Sequence, residues 1–189
     1  MNRAAKILLL ILILVLSGCG SSFNSLYESN YPLTSHRIFS RAGTLSVKVP
    51  EEWFAAEDNE KNIFDIWLVK NDYSASMSLV PLNIDEKISE EISISGVEGL
   101  LQISKSFRKL ESSFGYAETL SSEFFEYNGI EYASYQYLKN NNLKERVIIF
   151  LYHRVPYELT VSCEISEMCD DQFMHELFII QNAVLLSIK

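Results

Sequence analysis

The sequence predicts an α+β fold: a central antiparallel sheet of six to seven strands packed between helices, in the order βββ-α-ββββ-α. Three observations predict it. Short stretches that alternate apolar and polar residues recur between turn signals. Two longer stretches instead carry apolar residues at three- and four-residue spacing, the period of a helix face. The strand-like stretches come in two runs, each closed by one helical stretch, with no internal repeat. One domain over residues 43–189 accounts for all of them.

The first strand is Thr44-Leu45-Ser46-Val47-Lys48-Val49, with Leu45, Val47 and Val49 on one face and a stop at Pro50. Residues 63–70 and 75–82 give two more, joined through Asn71-Asp72-Tyr73-Ser74, a run of turn formers. A helix is then predicted from a capping box, Ser95 with Glu98 three residues on. Its apolar face reads Leu100, Ile103, Phe107, Leu110 and Phe114, and Gly115 is placed to close it. Residues 119–127 and 130–138 flank Asn128-Gly129, the strongest two-residue hairpin signal. In residues 143–153, Val147-Ile148-Ile149-Phe150-Leu151 is apolar on both faces, as a central strand covered on both sides must be. The last strand is 157–163. The closing helix starts near Asp171 with Asp170 as cap, and carries Phe173, Leu177, Ile180 and Val184 on one face.

At the N-terminus, Arg3 and Lys6 precede an unbroken apolar run from Ile7 to Leu16. Ten helical residues reach about 15 Å, half of the roughly 30 Å hydrocarbon core, so the run is too short to span. A charged start, a short apolar middle and small residues after it are the layout of a secretory signal. The following Leu16-Ser17-Gly18-Cys19 resembles the lipobox of bacterial lipoproteins. That resemblance implies a signal peptide over residues 1–18, a diacylglyceryl group on Cys19 and anchoring in a membrane of the bacterial envelope. Gly20, where an Asp would retain the protein at the inner membrane, implies sorting to the outer membrane, facing the periplasm, in a Gram-negative host. Two or three acyl chains, at about 0.8 kcal/mol per buried methylene, suffice for a stable anchor.

Residues 19–42 read as the lipidated end and a flexible tether, rich in Ser, Asn and Tyr, with no sustained apolar period. A coil of about 23 residues has a root-mean-square reach near 26 Å. Phe23, Tyr27 and Tyr31, four residues apart, leave open an amphipathic turn that grips a partner or a membrane surface.

Composition narrows the function. Hydrophobic residues at 48% and charged ones at 22% make a globular rather than a disordered chain. With 16 Lys and Arg against 25 Asp and Glu, the net charge is -9. Loss of Arg3 and Lys6 with a signal peptide would take it to about -11. Such a body is repelled by nucleic acid and by anionic lipid, so no nucleic-acid partner is expected.

Gly43-Thr44-Leu45-Ser46-Val47-Lys48-Val49-Pro50, with Trp53 three residues beyond, is similar to the opening strand of PsbP-like and DcrB-like proteins. Tyr157-Glu158-Leu159-Thr160-Val161-Ser162 before a terminal amphipathic helix resembles their closing strand and helix. The resemblance implies a central antiparallel sheet between helical layers. It carries over no catalytic, cofactor or metal residue, because no functional motif of the family is matched.

With Cys19 assigned to lipid, Cys163 and Cys169 remain, an even number outside the cytoplasm, and a disulfide is expected. Two free buried thiols, or metal binding with His175, are the alternatives; the spacing fits no zinc pattern and a fourth ligand is missing. His36 and His153 fall in the tether and near a turn, and no nucleophile elbow, Walker loop or H-E-x-x-H occurs, so no enzyme is expected. The acidic runs, such as Glu57-Asp58-Asn59-Glu60, lack a calcium-loop pattern and read as a solvated face. Phe124, Phe125, Tyr132, Tyr135 and Tyr137 crowd one hairpin. They can pack the sheet or present an aromatic binding surface. Two functions follow as expectations. One is a non-catalytic lipoprotein that binds an envelope protein or assists assembly, through that hairpin. The other is a carrier or sensor holding a small molecule between sheet and helix.

Overall fold

The computed structural model describes residues 28–41, 45–57, 64–111, 117–139 and 143–189. Cys19, the signal-like run and residues 20–27 and 42 of the predicted tether lie outside these residues. Among the described residues nine strands and two α-helices follow in order: β1 (Leu33–Phe39), β2 (Ser46–Pro50), β3 (Trp53–Ala55), β4 (Ile66–Lys70), β5 (Ala75–Pro81), α1 (Glu86–Glu111), β6 (Ala117–Tyr127), β7 (Ile130–Lys139), β8 (Leu143–Tyr152), β9 (Val155–Cys163) and α2 (Asp171–Leu186). β3 to β9 form one antiparallel sheet in the order β3-β4-β5-β9-β8-β7-β6, while β1 and β2 pair separately. The meander β6-β7-β8-β9 thus brings the last strand back beside β5.

Alternation sets the two faces of the sheet. Met77, Leu79, Ile148, Phe150, Leu159 and Val161 face α2 and form the larger core with Leu177, Ile180 and Val184 of that helix. Ala133, Tyr135, Val147 and Ile149 face α1 and pack against Ile92, Val97, Leu100 and Leu101. Val147 through Phe150 have no exposed surface, the two-sided burial that their unbroken apolar run predicts. Asp170 caps α2 as expected, its Oδ1 accepting the Phe173 N–H at 2.8 Å. Asn128 and Gly129 both take positive φ, 51° and 75°, which matches the twist of a tight hairpin.

Residues 33–39 correct the reading of 19–42 as a flexible tether. They form β1, and the reason they show no alternation is local. The register with β2 slips between Leu33 and Arg37, which breaks the period of two. Arg37 fixes the pair instead: its Nη2 donates to the carbonyls of Ser46 (2.8 Å) and Ser187 (2.7 Å), and its Nε donates to Ser46 Oγ at 3.0 Å. Tyr31 packs on the core, and its hydroxyl donates to the Glu51 carbonyl at 3.2 Å. β2 packs against α2, while Gln181 of that helix is buried against the seven-stranded sheet, its Nε2 donating to the carbonyls of Leu159 (2.7 Å) and Arg146 (3.1 Å).

The first helix starts at Glu86, well before Ser95. Asp85 caps it, with Oδ1 accepting the Ile88 N–H at 2.8 Å. The Ser95 hydroxyl donates back to the Glu91 carbonyl (2.8 Å) and caps nothing. The sequence signal there marks a break inside α1: Gly96 adopts φ 62°, ψ -148°, a backbone region essentially restricted to glycine. The buried face beyond the break also departs from expectation. Leu110 is 80% exposed, whereas Ser104 and Arg108, four residues apart, turn toward the sheet.

Candidate binding cleft

The aromatic hairpin is core rather than surface. Phe125, Tyr132, Tyr135 and Tyr137 are all buried; among the five predicted contact residues Phe124 alone is open to solvent, at 52%. Phe125 stacks on Tyr132 with ring centroids 5.0 Å apart, and Tyr132 lies 5.4 Å from Phe150. Alternation over β7 sends Tyr132 toward α2 and Tyr135 and Tyr137 toward α1, so the aromatics fill two cores and share no exposed face. The expectation of a binding surface on these residues is corrected accordingly. Burial, then the neighbouring Tyr127 and Tyr152, pushes the Tyr132 phenol up to about 12.

Cys163 and Cys169 are joined in a disulfide with Cα atoms 5.9 Å apart, which ties the end of β9 to the turn before α2. Bonded to each other, they are not thiolate ligands for a metal with His175. Among the described residues, no group of three or more His, Cys, Asp and Glu is placed to hold a metal ion.

The open site lies elsewhere, on the α1 side of the sheet. α1 packs chiefly on β7 and β8, and beside it the face of β9, β5 and β4 forms a cleft of about 470 Å³. Cross-strand register builds its floor. Ser76 of β5, Ser162 of β9, Glu145 of β8 and Tyr137 of β7 lie in one row, and Trp67, Ser78, Thr160 and Val147 in the next. Phe107 and Leu110 of α1 form one wall, and Phe64 and Trp67, with ring centroids 5.5 Å apart, form the other.

Polar groups bind the floor together. Glu158 Oε2 pairs with Arg108 Nη2 at 2.6 Å, and its Oε1 accepts a hydrogen bond from Ser104 Oγ. The Ser104 hydroxyl also meets Tyr135 OH at 2.8 Å, and Arg108 reaches Thr160 Oγ1 at 3.3 Å. Glu145 accepts from Tyr137 OH and, at 2.9 Å, from Ser162 Oγ. Glu164 at the rim accepts from Ser76 Oγ at 2.5 Å. Burial works to lower the Arg108 pKa, but Glu158 and the Tyr137 and Tyr135 phenols outweigh it, so the guanidinium holds its proton more tightly than usual. Burial and Glu145 push the Tyr137 phenol well above its ordinary value despite the nearby Arg108. Three carboxylates, Glu145, Glu158 and Glu164, therefore line the cleft against one guanidinium among the described residues. The hairpin drew attention by its aromatic content, but the cleft had a signal of its own. Ser76 and Ser78, then Glu158, Thr160 and Ser162, alternate with apolar residues and mark one polar sheet face.

With a seven-stranded antiparallel sheet and two α-helices among the described residues, the molecule belongs to the α+β class and has a PsbP-like fold. The solution structure of cyanobacterial PsbP (CyanoP) from Synechocystis sp. PCC 6803 superposes with a TM-score of 0.50 at 9% identity, over 82% of this chain and 91% of that one. A crystal structure from Bacteroides thetaiotaomicron covers 81% of this chain and 47% of its own at 10% identity, with a TM-score of 0.35, too low to carry an argument. No family model matches the sequence, and no curated protein does.

Proposed function

We propose that the protein is a bacterial envelope lipoprotein, anchored through lipid on Cys19, whose folded domain is a non-catalytic module that binds another envelope protein through the α1-side cleft. The observation that carries this reading is the uncovered half of the α1 face, where Trp67, Phe64 and Phe107 stand over a floor of hydroxyls and carboxylates. Apolar walls around a few placed polar groups are the usual make-up of a recognition site. The anchor rests on the run from Leu16 to Cys19 behind the signal-like segment. Eight residues lie between Cys19 and Glu28, so a fully extended chain holds the domain within about 30 Å of the membrane surface. Confinement at that range raises its effective concentration toward other membrane residents.

The cleft volume favours a second reading, a carrier or sensor for a small molecule, since about 470 Å³ falls within the range of ligand pockets. A photocrosslinking residue placed at Ser78, in the native envelope, separates the two. A discrete protein adduct from Ser78 and none from Phe124 supports the module. No protein adduct at Ser78, with a small molecule retained on the purified protein, supports the carrier. Fatty-acid labelling that persists in Cys19→Ser would remove the proposed anchor.

A further inference from the structure

We infer that the outer face of the β1–β2 pair docks on the membrane and seats the phosphate of an anionic phospholipid headgroup between Arg37 and Lys48; this rests on the anchor at Cys19. Between that pair and α2, an open hollow of about 300 Å³ has Ser29, Leu33, Arg37, Lys48 and Leu186 in its lining. Arg37 and Lys48 stand directly opposite each other across the β1–β2 ladder. Like charges in that position destabilise a strand pair, and among the described residues no Asp or Glu lines the hollow to offset them. Lys189, also in the lining, is left out of the count because its main-chain end can balance its ammonium.

The two cations are placed to take an anion. Three hydrogen bonds to Ser46 and Ser187 use Nε and Nη2 of Arg37, which fixes the guanidinium and leaves Nη1 its donors. Neither Arg37 nor Lys48 makes an ion pair among the described residues. Acidic groups do act at the Tyr31 rim, where burial and then Glu52, Glu176 and Glu51 raise the phenol, but none of the three is paired with Arg37 or Lys48. A fixed guanidinium facing an unpaired ammonium suits a phosphate, whose several acceptor oxygens can meet both.

Position selects a membrane as the source of that phosphate. Ser29 lies in the lining, and only residues 20–27 connect Glu28 with Cys19, so the hollow sits where the chain comes in from the proposed lipid. Phe39 follows Arg37 by two residues on the same face of β1 and is 67% exposed. An exposed ring beside basic residues is the make-up of a face that lies in the headgroup layer. The net charge of -9 repels an anionic leaflet, so one basic face turned toward it orients the domain. β2 packs on α2, across the sheet from the α1-side cleft, and this orientation leaves the cleft open to a partner.

The test reconstitutes the lipidated protein into vesicles of phosphatidylcholine alone and of phosphatidylcholine mixed with phosphatidylglycerol, and follows hydrogen–deuterium exchange over residues 33–39 and 46–50. Exchange is expected to be slower in the mixed vesicles than in phosphatidylcholine or detergent. Lys48→Gln is expected to lower the docked-to-undocked ratio about fivefold, and Phe39→Ser to lower it as well. Lys144→Gln, beside Asp171 at the opposite end of α2, is expected to change nothing. Exchange over β8 and β9 reports that each variant is folded. The inference is overturned if exchange is the same in the two kinds of vesicle, if Lys144→Gln weakens docking as much as Lys48→Gln does, or if the slowing needs other membrane proteins and is absent in pure lipid. Inorganic phosphate that slows exchange in detergent as much as the mixed vesicles do also overturns it, in favour of a soluble anion. Fatty-acid label on Cys19 with no slowing would refute the docking and leave the anchor standing, so the two failures are told apart.

Discussion

Arg108 of α1 and Glu158 of β9 are bridged at 2.6 Å across the junction of helix and sheet, with the Glu158 carboxylate almost wholly buried and also bonded to Ser104. The pair forms the inner end of the cleft and fixes the C-terminal half of α1 over the sheet. Taking either charge away strands the other inside the protein, which is the expensive way to break a buried pair.

Arg108→Ala is therefore expected to destabilise the fold by about 3 kcal/mol, because Glu158 stays behind without its cation. Replacing both, as Arg108→Leu with Glu158→Leu, is expected to be closer to the parent than either single change. Urea unfolding of the double-mutant cycle measures this directly; additive single effects would show that the pair is not coupled.

Gly96→Ala tests the break in α1. Glycine accepts φ 62°, ψ -148° freely, while an added Cβ is strained there by about 1–3 kcal/mol. Crowding is not the reason, since a Cβ at this position comes no nearer than 3.8 Å to Glu131 Oε2. An unchanged unfolding midpoint in Gly96→Ala would mean that the helix can run through the break without it.

High pH should unfold the domain through its buried phenols. Tyr132 titrates at about 12 in the fold and near 10 when unfolded, so the unfolded chain loses this proton first. Its contribution is complete below about pH 10 and falls as pH rises toward 12. Tyr137, also pushed up by burial, acts in the same direction. The unfolding midpoint followed from pH 9 to 12 is expected to drop, with a shallower drop in Tyr132→Phe. Parallel curves for the two proteins would remove Tyr132 from this account.

Reducing the Cys163–Cys169 bridge frees a loop of about seven residues, which is expected to cost roughly 2.4 kcal/mol by loop entropy. The double Cys163→Ser, Cys169→Ser variant, compared with the oxidised parent by urea unfolding, measures the loss. Equal stabilities would confine the bridge to a role outside folding.

What could be read in the sequence, and what could not, follows from how local each signal is. The two-faced run Val147 to Phe150, the Asn128-Gly129 turn, the Asp170 cap and the Cys163–Cys169 pairing all depend on residues close in the chain. β1 was illegible because Arg37 earns its place through a carbonyl 150 residues away, and because a slipped register erases its alternation. The cleft was illegible as a site because Ser76, Glu145 and Ser162 meet only after β9 inserts between β5 and β8. The spacing of Ser104 and Arg108 on an otherwise apolar helix face was visible, yet it acquires meaning only opposite Glu158.

The most direct test of the central claim, that the cleft is the recognition surface of a membrane-tethered module, is hydrogen–deuterium exchange on the protein in its native membranes and after purification. The account predicts added protection in native membranes over β5, β9 and the 104–110 stretch of α1, with the β6–β7 hairpin unchanged. Protection gained at the hairpin around Phe124, with none over β5 and β9, would contradict it.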